Sequence, residues 1–130
     1  MKGYFVNIED ETEDNSDYRR VLYTGKNSQL VVMSIEPGDE IGEEIHELDQ
    51  FIRVEKGKAK VILNKTEERE VEDDWAFIVP AGVWHNVVNT GDRPLKIYTI
   101  YSPPEHKDGV VQKSKADEYE EHFDGVTTEE

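Results

Sequence analysis

At 130 residues with 35% hydrophobic side chains, the chain has the size of one domain and can bury one core. It has no cysteine, which excludes disulfides and thiolate metal sites and permits cytosolic residence. The formal charge of −15 is concentrated at the ends, with six acids in residues 9 to 17 and seven in residues 117 to 130 against a net −3 in between; it argues against a nucleic-acid partner and reads as solvating acidic ends.

With no apolar run of membrane-spanning length and no signal-peptide pattern in MKGYFVNIEDETED, the chain reads as soluble, cytoplasmic and without a membrane partner. Residues 1–17 are expected to form a short strand, Tyr4 to Ile8, and an acidic loop to Asp17. RRVLYTG and SQLVVMSI read as two strands around a Gly25-Lys26-Asn27 turn, and Glu36-Pro37-Gly38-Asp39 turns the chain into the next segment.

Read with a two-residue period, Glu44 to Val54 places Glu44, His46, Leu48, Gln50, Ile52 and Val54 on one face, and Ile45, Glu47, Asp49, Phe51, Arg53 and Glu55 follow on the other. A carboxylate, an imidazole and a carboxamide on an otherwise apolar face are costly to bury, and one metal ion would compensate all three. The same residues also fit a Glu44 at a wet loop rim beside a hydrogen-bonded core His46. KGKAKVILN then alternates Ala59, Val61 and Leu63 on one face, and TEEREVE reads as a strand with one side in solvent.

In DWAFIVPAGVWHNVVN, Pro80-Ala81-Gly82 separates two apolar runs, and His85 shares a face with Val83 and Val87. A hairpin there would bring a fourth ligand inward. After the turn TGDRP, LKIYTIYS is the last barrel strand; Pro103-Pro104 ends it, and SKADEYEEHF reads as one short helix with Ser114 as its N-cap. Short, regularly spaced strands indicate an all-β antiparallel barrel or jelly roll.

These two segments resemble the paired motifs of the cupin superfamily, G(X)5HXH(X)3,4E(X)6G and G(X)5PXG(X)2H(X)3N. From Gly38, the first histidine position falls on Glu44, the second on His46, the glutamate on Gln50 and the closing glycine on Gly57. In the second motif Asp74 stands where the family has glycine, and Pro80, Gly82, His85 and Asn89 match. YSPPEHKDGV and KADE resemble, more loosely, the tail of small single-domain bacterial cupins of mannose-6-phosphate-isomerase-like type.

The resemblance implies a cupin jelly-roll barrel over residues 18–102, with residues 103–130 as a tail carrying the short helix. It implies a metal set of Glu44, His46, Gln50 and His85, with one anionic ligand as in the usual set. Two oxygen and two nitrogen donors suit Mn, Fe, Ni or Zn. It further implies an isomerase- or epimerase-type enzyme acting on a small sugar or sugar acid. The alternatives are an Fe-dependent dioxygenase, a non-catalytic binding module, and a fold that has lost its metal.

Glu44, Tyr98 and His106 are the candidate catalytic groups, Glu44 being either ligand or base; Tyr101 is a further candidate base, and a surface position for His106 and His122 stays open. Phe51, on the charged face, is the candidate contact of a homodimer.

Overall fold

The computed structural model describes residues 2–129. Helix α1 (Ile8–Asp14) precedes nine strands: β1 (Arg19–Thr24), β2 (Gln29–Ile35), β3 (Asp49–Lys56), β4 (Lys58–Leu63), β5 (Glu67–Glu72), β6 (Ala76–Val79), β7 (His85–Asn89), β8 (Leu95–Ser102) and β9 (Val111–Gln112). They form a six-stranded sheet in the order β6-β3-β8-β2-β1-β9 and a three-stranded sheet in the order β5-β4-β7, with antiparallel pairing throughout.

The two-residue period decides the core. Val31 and Met33 of β2, Ile52 and Val54 of β3, Ala59 and Val61 of β4, Val87 of β7, and Leu95 and Ile97 of β8 are all buried in one cluster. Burial alternates down β8, where Leu95, Ile97, Thr99 and Tyr101 are buried and the residues between them are more exposed. On β5 only Val71 is buried, which agrees with the polar reading of that strand.

Three expectations are corrected. Tyr4 to Asn7, read as part of a strand, has no regular structure, and the acidic stretch read as a loop is a helix from Ile8, because Asn7 accepts a capping hydrogen bond from the Asp10 backbone at 3.1 Å and Glu9, Asp10 and Glu11 fall in the first turn, where the helix dipole favours acids. The Pro80-Ala81-Gly82 segment is not a hairpin turn. It is a crossover: β6 pairs with β3 in the large sheet, whereas β7 pairs with β4 in the small one. In the tail, SKADEYEEHF forms only a 3-10 turn, Lys115–Asp117; Ser114 caps it as expected, with its backbone and hydroxyl both donating to Asp117.

Two turns carry backbone constraints. Gly57 has φ +115°, and a Cβ there would lie 3.2 Å from the Leu95 Cα, so no other residue fits without displacing β8. Asp74, which replaces the family's glycine, has φ +72°. Aspartate is among the few side chains that tolerate the left-handed region, and its carboxylate accepts from Arg53 at 3.1 Å.

The tail returns to the barrel instead of leaving it. β9 pairs with β1, Gln112 is buried, and an isolated bridge joins His106 to His122. Phe51 lies on the outer face of the large sheet, half-buried, with its ring centroid 6.1 Å from that of Tyr98.

Two isoleucines test this partition. Ile52 is fully buried, whereas Ile78 on edge strand β6 is 63% exposed. Ile52→Ala should lower unfolding free energy by about 2–5 kcal/mol in urea denaturation, and Ile78→Ala by about 0.5 kcal/mol or less.

Candidate metal centre

The inward face predicted from Glu44 to Val54 holds even though its first half is not regular strand. β3 begins only at Asp49, and Glu44 is placed by an isolated bridge to His85, with reciprocal backbone hydrogen bonds of 2.9 Å. The bend at residues 47–48 is pinned on either side by the Gly82 amide, which donates to the His46 carbonyl at 2.8 Å, and by the Ala81 amide, which donates to the Asp49 carboxylate at 3.0 Å. The crossover loop and the first motif thus fix each other, with Gly82 at φ +82° supplying the turn.

Glu44, His46 and His85 meet at the barrel mouth, and one ligand atom from each lies within 4.8 Å of the others. Glu44 Oε1 is 3.3 Å from His46 Nε2 and 3.6 Å from His85 Nε2. Neither imidazole nitrogen is aligned to hydrogen-bond, and both are buried without a partner. Gln50 is buried on the same inward face; its amide nitrogen donates to Thr99 Oγ1 at 3.1 Å, which leaves Gln50 Oε1 buried and unpartnered as well. Unpaired buried polar atoms are rare, and three sharing one barrel interior with a carboxylate need a common explanation.

The other side of each ring shows why these atoms are free. The His85 Nδ1–H donates to the Val83 carbonyl at 3.0 Å, and His46 Nδ1 faces Glu105 Oε1 at 3.4 Å. Both rings therefore direct Nε2 inward toward Glu44, the orientation that outer carboxylates and carbonyls impose on metal-binding histidines. Glu105 was not among the expected site residues. Its signal, an acid directly before His106, was too local to reveal that it reaches His46.

The electrostatics favour positive charge here. Burial pushes the His46 imidazole down, but the carboxylates of Glu105 and Glu44 on its two sides outweigh burial and raise it to about 9. Burial likewise opposes ionisation of Glu44, yet its contacts with His46 and His85 hold the carboxyl far below the usual range. The donors fit a divalent cation: an ionised carboxylate, two oriented imidazoles and a free carboxamide oxygen.

Of the candidate catalytic groups, Glu44 and His106 reach the cavity and Tyr98 does not. Tyr98 points out of the barrel with Lys96 and Ile100, because alternation along β8 gives the inward positions to Thr99 and Tyr101. Tyr101 is the tyrosine of the site, with its ring edge-on to His46 at 6.0 Å and to His106 at 5.1 Å, and His106 Nε2 3.4 Å from its hydroxyl. Burial pushes the phenol up, so it stays protonated and donates. Burial, reinforced by the charge of Arg19, pushes the His106 imidazole down to about 3, so it stays neutral. His122 also returns to this end, with Nδ1 3.2 Å from Glu105.

Above the cluster lies a cavity of about 450 Å³, the size of a small-molecule site, lined by Glu44 and His46 from the barrel and by Glu105, His106, Glu118 and His122 from the tail. The sequence profile described as Cupin domain matches residues 31–101, more than half the chain. The chain belongs to the cupin family. This cupin is 51% identical to BH2720 from Bacillus halodurans, whose crystal structure superposes with a TM-score of 0.87 over 89% of this chain and 92% of that one. It is 48% identical over 122 residues to the uncharacterised Bacillus subtilis protein YrkC, a match covering 89% of this chain and 66% of YrkC, so the relative extends well beyond the matched region. KdgF from Halomonas sp., at 23% identity, 83% and 97% coverage and a TM-score of 0.65, shares the fold. No helix among the described residues is long and apolar enough to cross a membrane.

If Glu105 orients His46, Glu105→Gln should weaken binding of added Mn, Ni or Zn by about 10–100-fold in calorimetric titration without unfolding the protein. The depressed His106 sets a pH dependence. The unfolded chain takes up a proton near the ordinary value of 6.5 while the folded chain resists it to about 3, so stability falls as pH drops below 6.5. Glu44 and Glu105, both shifted down from 4.5, add their own loss only at lower pH. His106→Gln should therefore flatten stability between pH 6.5 and 4.5 in chemical denaturation.

Proposed function

We propose that this cupin is a metal-dependent isomerase- or epimerase-type enzyme acting on a small sugar or sugar acid. The observation that carries the reading is the set of buried, unpartnered donor atoms, His46 Nε2, His85 Nε2 and Gln50 Oε1, in the barrel that also directs the ionised Glu44 inward beneath a small-molecule cavity. Glu44, His46, Gln50 and His85 would hold the ion, with Mn, Fe, Ni or Zn as the metals suited to the donor set.

Held there by Glu44, His46, Gln50 and His85, a divalent ion would supply Lewis-acid polarisation of a carbonyl or enediol oxygen, which would lower the barrier to proton transfer at the adjacent carbon. The chain's own groups divide the remaining work. His106, held as a neutral imidazole at the cavity wall with the Tyr101 hydroxyl behind it, offers a hydrogen bond that orients a hydroxyl group of a polyol. Glu44, ionised and inward, is either the anionic ligand or the base that takes the proton. Tail residues from Glu105 to His122 line the cavity and limit the access of water to the reacting atoms.

Elemental analysis of protein purified without added metal should find about one divalent ion per chain, and incubation with aldoses, ketoses and uronic acids in deuterated water should incorporate deuterium next to a carbonyl. Glu44→Gln separates the two roles. Loss of bound metal makes Glu44 a ligand, whereas retained metal with a rate lowered by about 10²–10⁴-fold makes it the base. Oxygen consumption with Fe(II) and no deuterium exchange would replace the isomerase with a dioxygenase, and a protein that binds no divalent ion would remove the reading altogether.

A further inference from the structure

Arg19 is an arginine in the wrong place for a surface charge. It stands at a buried position of β1, its side chain is 4% exposed, and it lines the same cavity as Glu44 and His46. Arginine is almost never buried without a charge to meet. Its guanidinium donates from Nη1 to Gln112 Oε1 at 2.8 Å and to Glu118 Oε2 at 3.3 Å, while Nε is buried with no partner.

The Glu118 carboxylate is itself gripped from several sides. The Tyr18 hydroxyl donates to Oε2 at 3.0 Å, and Lys115 Nζ lies 3.4 Å from Oε1. Tyr18 and Arg19 are adjacent and buried at the barrel wall, whereas Glu118 ends the 3-10 turn of the tail and is partly exposed. A rigid cationic clamp in the barrel is thus filled by a carboxylate carried on the tail.

We propose that Arg19, in the wall of the metal cavity, is its carboxylate-binding group, that the Tyr18 hydroxyl behind it is a second donor to the same carboxylate, and that Glu118 is the displaceable internal occupant. The Glu118 side chain stands in for the carboxylate of a small acid whose other oxygens would reach the Glu44–His46–His85 end. The inference deepens the sugar-acid branch of the proposed function and rests on that reading of the cavity.

Charge bookkeeping supports exchange over simple addition. Glu43, Glu44, Glu105, Glu118, Glu120 and Glu121 all line this cavity, so an added anion is repelled unless it takes the place of the Glu118 carboxylate at the guanidinium while Glu118, partly exposed on the tail, turns out into solvent. A neutral ligand in that position would leave the buried guanidinium without its counter-ion, a cost that selects against it.

The test uses glycolate and its neutral analogue glycolamide as probes, titrated by NMR into the full chain and into Glu118→Ala, with the metal content of each sample measured separately. Removing the occupant should tighten glycolate binding by about tenfold and leave glycolamide unchanged, and adding Tyr18→Phe should return part of that gain. Equal glycolate affinity in the two proteins, or the same gain for glycolamide, overturns the subsite. Titrating Mn(II) back into the chelator-treated protein, and repeating the glycolate titration before and after, keeps the two ideas apart. A gain that persists in a chain binding no divalent ion sinks only the metal-dependent function, whereas no gain in a metal-loaded chain sinks only the role of Arg19 and Glu118.

Discussion

Two imidazoles, a carboxylate and a carboxamide can share an apolar barrel only if their polar atoms meet donors, acceptors or charge, and the fold around them serves that condition. Gln50 comes from the large sheet, His85 from the small sheet, and Glu44 and His46 from the segment between β2 and β3. What joins these sources is backbone: the reciprocal Glu44–His85 bridge and the Gly82 to His46 hydrogen bond tie the first motif to the crossover. The core beneath, with Ile52, Val54 and Ile97 fully buried, fixes the floor against which the donors are oriented. Packing fixes the position of the donors, and the outer partners Glu105 and Val83 set which nitrogen faces in.

Much of this was legible because a strand has the shortest period in protein structure. Parity alone placed Glu44, His46, Gln50, Ile52 and Val54 on one face, and side-chain direction survived even where Glu44 to Leu48 is not strand. Motif spacing was equally readable, since turns such as Gly57 and Gly82 are fixed by backbone geometry that few residues supply. The one departure with a backbone meaning, Asp74, keeps the positive φ of the glycine it replaces, so the residue type changed while the conformation did not.

What remained hidden depended on contacts that no local pattern encodes. The run IEDETED has no apolar stripe, so only the Asn7 cap and the early acids marked α1. Two apolar runs around Pro-Ala-Gly read the same whether the strands pair with each other or belong to different sheets, and the choice is made by β3 and β4. Tyr98 was a different kind of miss. The alternation of LKIYTIYS already assigned Tyr101 to the side of Ile97 and Tyr98 to the side of Lys96.

The acidic ends show how far composition can be trusted. The excess acids were read as solvating segments, and part of the N-terminal excess instead enters the first turn of α1, where it stabilises a helix dipole. The C-terminal excess does something else. Glu118, Glu120 and Glu121 come back to rim the cavity, with Glu105 closer in. A cavity ringed by carboxylates above a cluster that already favours positive charge draws cations toward the donors, and field focusing in a cleft strengthens that pull. The same ring penalises a bare anion unless a fixed cation receives it. The buried guanidinium of Arg19 is a fixed cation in that wall, so a charge of −15 does not by itself bar an acidic small molecule from the cavity.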